Sequence, residues 1–194
     1  MKKPESPALE DGANPNDFLV GKSVADFPDT GLVNQFGEPV SFETLPAKPV
    51  LLSFIYTNCP DPRMCPLITY KMRQVQKRLN RGEKKPVQFV SVTFDPENDT
   101  SAVLKNYGDK RNVNYDNWDF WTGEPGTIRT LARAFKVLTT KVPDDATDQP
   151  GTVYNHNMRT FLIDENRVVR YWYPGSDWNV KDVIKRLKEL MRND

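Results

Sequence analysis

Apolar positions in this chain fall into short continuous runs that alternate with stretches of helical spacing. Val50 to Tyr56 (VLLSFIY) carries no charge and is rich in β-branched and aromatic residues, the pattern of a central strand covered on both faces. From about Pro66, PLITYKMRQVQKRLN places Leu67, Tyr70, Val75 and Leu79 near helical spacing, with the proline at a first helical position. VQFVSVTF (Val87 to Phe94) predicts a second buried strand, and SAVLKNYG a short helix that Gly108 closes. A brief strand around Phe120 and the helix GTIRTLARAF follow. Met158 to Asp164 and Val168 to Tyr173 read as an antiparallel hairpin turning at Asp164 to Arg167. In the last helix Val180, Val183, Ile184, Leu187 and Met191 form one stripe behind a cap at Ser176 or Asp177.

The edges of the domain are polar. Residues 1–17, rich in Pro, Glu, Asp and Asn, have the composition of a flexible arm or tether, which leaves 18–194 as one domain. Within Phe18 to Leu45 apolar positions alternate around Gly37, as in a hairpin or edge strands, and Val142 to Gly151 (VPDDATDQPG) reads as a surface loop. Strand, helix, strand, helix, hairpin, helix is the order of a thioredoxin-like α/β fold, a central mixed sheet flanked by helices. Composition excludes more than it selects. The 27 Lys and Arg balance 26 Asp and Glu, so charge gives no reason to expect nucleic acid as a partner. Pro49 to Tyr56, the longest apolar stretch, is far short of the roughly 20 residues of a membrane helix.

Chemistry concentrates on three residues. Cys59 and Cys65, the two cysteines, lie in CPDPRMCP between a strand end and a helix start, where the helix dipole favours thiolate. That position suits a redox pair or a metal site; the bland alternatives are a structural disulfide in an exported protein or two unremarkable thiols, though a domain of this size folds without a staple. His156, the one histidine, follows a loop and precedes a strand, where it is either an ordinary hydrogen-bonding residue or a third ligand. Two thiolates and an imidazole form a soft three-coordinate set that suits copper, whereas structural zinc wants a fourth protein ligand.

Four segments in order, FIYTNCPDPRMCP, SVTFDPENDT, WDFWTGEPGTIRTLARAF and VYNHNMRTFLIDENRVVRYWYPG, resemble the Sco (SenC) family of copper proteins that assist cytochrome c oxidase assembly. The resemblance runs from about Phe18 to Met191. It implies a thioredoxin-like fold with an extra hairpin, and one copper ion, as Cu(I) or Cu(II), held by Cys59, Cys65 and His156. It also implies a monomeric metallochaperone rather than an enzyme, with the copper-site subunit of cytochrome c oxidase or another copper protein as its partner. The alternative function is a thiol-disulfide oxidoreductase that uses Cys59 and Cys65 as its catalytic pair, to reduce the cysteines of a copper target or to sense redox state. The implied location is the periplasm, soluble or membrane-anchored through a native tether, with the mitochondrial intermembrane space as the alternative. Asp95 falls on the family's aspartate after the second core strand, behind the ligands or facing a partner; a turn aspartate capping the next segment is the competing reading.

Two departures bear on the metal. Five residues, Pro60 to Met64, separate the cysteines where the family usually has three, and Met64 brings a thioether that either ligates or packs. Asn155 stands before the histidine where many relatives carry an acid, so a carboxylate that would orient the imidazole is missing there.

Overall fold

The computed structural model describes residues 19–143 and 153–192; the expected arm 1–17 and most of the expected loop 142–151 lie outside them. Burial begins with β3 (Val50–Ile55) and β4 (Gln88–Thr93), in which every residue is buried. They pair in parallel, and β4 pairs in parallel with β5 (Trp118–Trp121). On the other side β3 runs antiparallel to β8 (Arg159–Ile163), which forms the expected hairpin with β9 (Val169–Pro174). The result is a mixed five-stranded sheet in the order β5-β4-β3-β8-β9. A second, two-stranded ribbon, β1 (Leu32–Val33) with β2 (Pro39–Val40), accounts for the alternation around Gly37. Gly37 adopts a φ of 80°, a left-handed turn conformation that costs glycine little.

Parallel neighbours need a crossover, and helices supply it. The helix α1 (Cys65–Leu79) carries the chain back from the end of β3 to the start of β4. It lies on one face with α2 (Ser101–Asp109) and α4 (Val180–Leu190): Thr69 and Tyr107 share a hydroxyl contact of 3.0 Å, and Lys71 Nζ donates to the carbonyl oxygens of Ser176 and Trp178. On the opposite face α3 (Pro125–Ala134) ends at Phe135, whose ring packs against Phe27, Phe42, Phe54 and Phe161. The N-terminal segment is pinned from below by Arg167, whose guanidinium donates to the carbonyls of Phe42, Leu45 and Pro46.

Three local expectations are corrected. Gly108 does not close α2, which continues to Asp109; a Cβ there would lie 2.4 Å from Tyr115 Oη, so the glycine permits close packing instead. The cap of α4 is Asn179, accepting from the Lys181 amide at 2.8 Å, rather than Ser176 or Asp177. Finally, β6 (Thr139–Lys141) pairs antiparallel with β7 (Tyr154–His156), so His156, expected at a loop end ahead of a strand, is itself the last residue of a short strand and lies just before β8.

Candidate metal centre

The C-terminal ends of β3 and β4 form the rim on which the three candidate ligands meet. β3 continues into Tyr56 and the loop 57–64, and Cys65 is the first residue of α1, with Pro66 in its first turn. That turn holds no acidic residue and no side-chain cap, so the positive end of the helix dipole is left to the sulfurs. The longer spacer is organised locally. Asp61 accepts from the Arg63 amide at 2.8 Å and from its guanidinium, the Met64 amide donates to the Asp61 carbonyl at 3.1 Å, and Ser176 Oγ donates to the Arg63 carbonyl at 2.7 Å.

From the far side β7 delivers His156. Register with β6 places Thr139 opposite His156 and Thr140 opposite Asn155, so Asn155 points away, exposed. The imidazole packs against Tyr56 and Phe94, with ring centroids at 5.6 and 4.9 Å, and Tyr154 closes the aromatic group against the same two rings. His156 Nδ1 lies 3.2 Å from the Asn157 carbonyl. A carbonyl only accepts, so a hydrogen bond there is made by the Nδ1–H tautomer, whose free lone pair is on Nε2. Ligand atoms of Cys59, Cys65 and His156 all lie within 4.8 Å of one another, and no carboxylate joins this group among the described residues.

The two thiols differ electrically. Both are free, Cys65 fully buried and Cys59 half-buried. A hydrogen bond from the Cys65 thiol, helped by His156 and the backbone amides of Cys65 and Asp61, holds Cys59 well below the usual thiol range despite its burial. Cys65 moves the opposite way, because it donates that hydrogen bond, is buried, and faces the Cys59 charge. The shared hydrogen bond therefore favours negative charge on Cys59 over Cys65. Burial, then the Cys59 charge, raises the neighbouring Tyr56 phenol.

Asp95 is placed elsewhere than at a partner-facing surface. It is 1% exposed, accepting from Tyr154 Oη at 3.0 Å and from Asn98 Nδ2, and therefore bears on the histidine strand through a tyrosine. Its own turn also holds the cysteine loop. Asp99, 0% exposed, accepts from the Thr57 amide at 3.0 Å, Thr57 Oγ1 at 2.5 Å and Thr93 Oγ1 at 2.6 Å. One turn, 95–99, thus clamps both halves of the site. Met64 stands at the start of α1 with its side chain partly buried against the core. Sequence reasoning gave no role at the site to Tyr56, Phe94, Tyr154 or Asp99; the first two could have been found as the last residues of the two predicted core strands, at the ends where a site forms.

Comparison with known proteins agrees with this architecture. The chain is 38% identical over 110 residues to the SCO1 protein homolog of Bacillus subtilis, a match spanning 56% of this chain and 55% of that protein. The structure of Bradyrhizobium japonicum ScoI with copper bound is 26% identical, with a TM-score of 0.68, covering 82% of this chain and 96% of that one. A SCO1/SenC family lipoprotein from Bacillus anthracis is 28% identical, with a TM-score of 0.68, covering 89% of this chain and 99% of that one. The family model for SCO1/SenC matches residues 25–192, which takes in every strand and helix named above, and the chain belongs to that family.

Proposed function

We propose that this protein is a copper metallochaperone that carries one copper ion between the sulfurs of Cys59 and Cys65 and Nε2 of His156, and passes it to a copper protein by ligand exchange. The convergence of those three donor atoms within 4.8 Å, across a spacer two residues longer than the family's usual one, carries the reading. Two sulfurs and one imidazole suit copper, and among the described residues no carboxylate joins them as the fourth ligand of a closed zinc site. Cys59 and His156, both half-buried, form the open side, where an incoming thiolate or imidazole can enter; Cys65, buried at the helix start, is then the last ligand released. The recipient is the copper-site subunit of cytochrome c oxidase, as the family resemblance implies. The chain works at a membrane surface, tethered on the periplasmic side, in keeping with the lipoprotein relative; no described helix is long and apolar enough to cross a bilayer.

The unequal thiols support one other reading, disulfide exchange. The Cys59 thiolate would attack a target disulfide sulfur and release one target thiolate; Cys65, giving up its proton, would then attack Cys59 and release the second. The target gains two electrons and this pair becomes a disulfide. Anaerobic copper titration of the reduced protein with an absorption readout separates the two. A thiolate-to-copper band saturating at one equivalent supports the chaperone. A flat titration alongside rapid exchange with a model disulfide overturns it.

A further inference from the structure

The far end of α1 presents a concentration of positive charge that the metal site does not use. Lys77, Arg78 and Arg81 on and just beyond α1 face Lys181, Lys185, Lys188 and Arg192 on and just beyond α4, and all seven are exposed. Between the helices runs a groove of about 440 Å³ floored by Ile184, adjoining a second of about 340 Å³ to which Glu189 contributes the one acidic side chain. None of the seven cations takes part in an ion pair among the described residues. In a chain whose net charge is only +1, that is marked segregation.

The position of this face in the domain narrows what it meets. Because β3 and β4 are parallel, α1 runs from the metal-site end back to the opposite end, where β3 begins. The described chain enters at that same end: the Gly21 amide donates to the Val169 carbonyl, Val169 returns the bond to Lys22, and Ser23 bridges Val168, at the start of β9. A tether leaving the domain before Leu19 and the basic groove therefore share one end. Thirteen residues of helix separate Cys65 from Arg78, roughly 20 Å of rise, so a surface under the basic face leaves the metal site pointing outward.

We propose that the α1/α4 basic face docks on the anionic headgroups of the bilayer to which the chain is tethered, and so sets the outward orientation of the metal site. The proposal rests on the tethered location given above, but not on copper binding. Each Lys or Arg held near an anionic leaflet strengthens attachment by roughly fivefold. The attraction is screened beyond about 10 Å at 0.1 M salt.

The test is sedimentation of the full chain with vesicles of phosphatidylcholine alone or with phosphatidylglycerol added. Binding to the phosphatidylglycerol vesicles, falling at least about tenfold between 0.1 and 0.5 M salt, is expected. The variant K181E/K185E/K188E should lose it, while K110E/R129E/R133E, on other surfaces, keeps it. Inorganic phosphate at the lipid-phosphate concentration should not displace the protein. Equal binding to both vesicles, salt-insensitive binding, displacement by phosphate, or tighter binding to duplex DNA or a polyglutamate peptide overturns the proposal. Copper titration of the wild type and the same variants keeps the two readings apart: a wild type that takes up no copper removes the chaperone and leaves the vesicle result standing.

Discussion

Removing the Asp99 carboxylate should both loosen the fold and weaken the metal site, with a pH signature that identifies the cause. Asp99→Ala deletes the acceptor for three hydrogen bonds, from the Thr57 amide, Thr57 Oγ1 and Thr93 Oγ1. Hydrogen bonds to a charged group contribute about 1.5–3 kcal/mol each, but burying the carboxylate opposes them, so the expected net loss is about 2–4 kcal/mol. For a chain of this size that lowers Tm by roughly 5–15 °C. Thr57 leads into the Cys59 loop, so copper affinity should also fall about tenfold, as when a partner behind a ligand is lost. Asp99→Asn keeps an acceptor for Thr57 and loses about 1–2 kcal/mol.

Burial raises the Asp99 pKa in the folded protein, against the bonds from Thr57 and Thr93, with Asp95 adding to the rise. A raised carboxyl means the native state holds the proton more tightly than the unfolded chain. Its contribution is complete below the ordinary unfolded carboxylate pKa and is lost as pH climbs through the native value. Wild-type stability should therefore fall relative to Asp99→Asn across that window, and the gap between them should narrow as pH rises. Urea melts of the three proteins from acid to neutral pH measure it. A gap that widens with pH, or an Asp99→Ala protein within about 0.5 kcal/mol of wild type, would refute the reasoning.

Cys59→Ser, Cys65→Ser and His156→Ala should each abolish stoichiometric copper uptake in the anaerobic titration, whereas Met64→Leu, a packing change, should leave it within about threefold. Tyr154→Phe removes the hydroxyl bond to Asp95 and should destabilise by about 1–3 kcal/mol in chemical denaturation, with a smaller loss of copper affinity than Asp99→Ala. Gly108→Ala places a methyl 2.4 Å from Tyr115 Oη and 3.1 Å from Phe120 Cε2, and should lower stability by about 1–3 kcal/mol without changing copper binding.

The central architecture was legible because its signals are local and strong. The runs at Val50 and Val87 are short, β-branched and bounded by proline and polar residues, as buried strands are, and the stripe through Val183 and Leu187 has helical spacing. Cys59 and Cys65 were legible as a pair for the same reason, lying at a strand-to-helix junction. What escaped is non-local. Thr139–Lys141 and Tyr154–His156 are short and polar, and they become strands only by pairing with each other. Asp99 looks like any turn aspartate until Thr57 and Thr93 arrive from other elements to donate to it. Asn179 is the cap because α4 begins only at Val180, which leaves Ser176, bonded to the Arg63 carbonyl, and Asp177 ahead of the capping position.

The wide separation of the ligands along the chain has a consequence for how the site comes into being. Cys65 precedes His156 by 91 residues, and the turn 95–99 that clamps them lies between. A ribosome working at about 5–20 residues per second exposes both thiols for roughly 5–20 s before the imidazole exists. During that interval the pair is a bare dithiol, able to meet an oxidant but not to form the three-donor site. Metal capture thus belongs to the finished chain, and the redox state of the thiols on completion decides which molecules can be loaded.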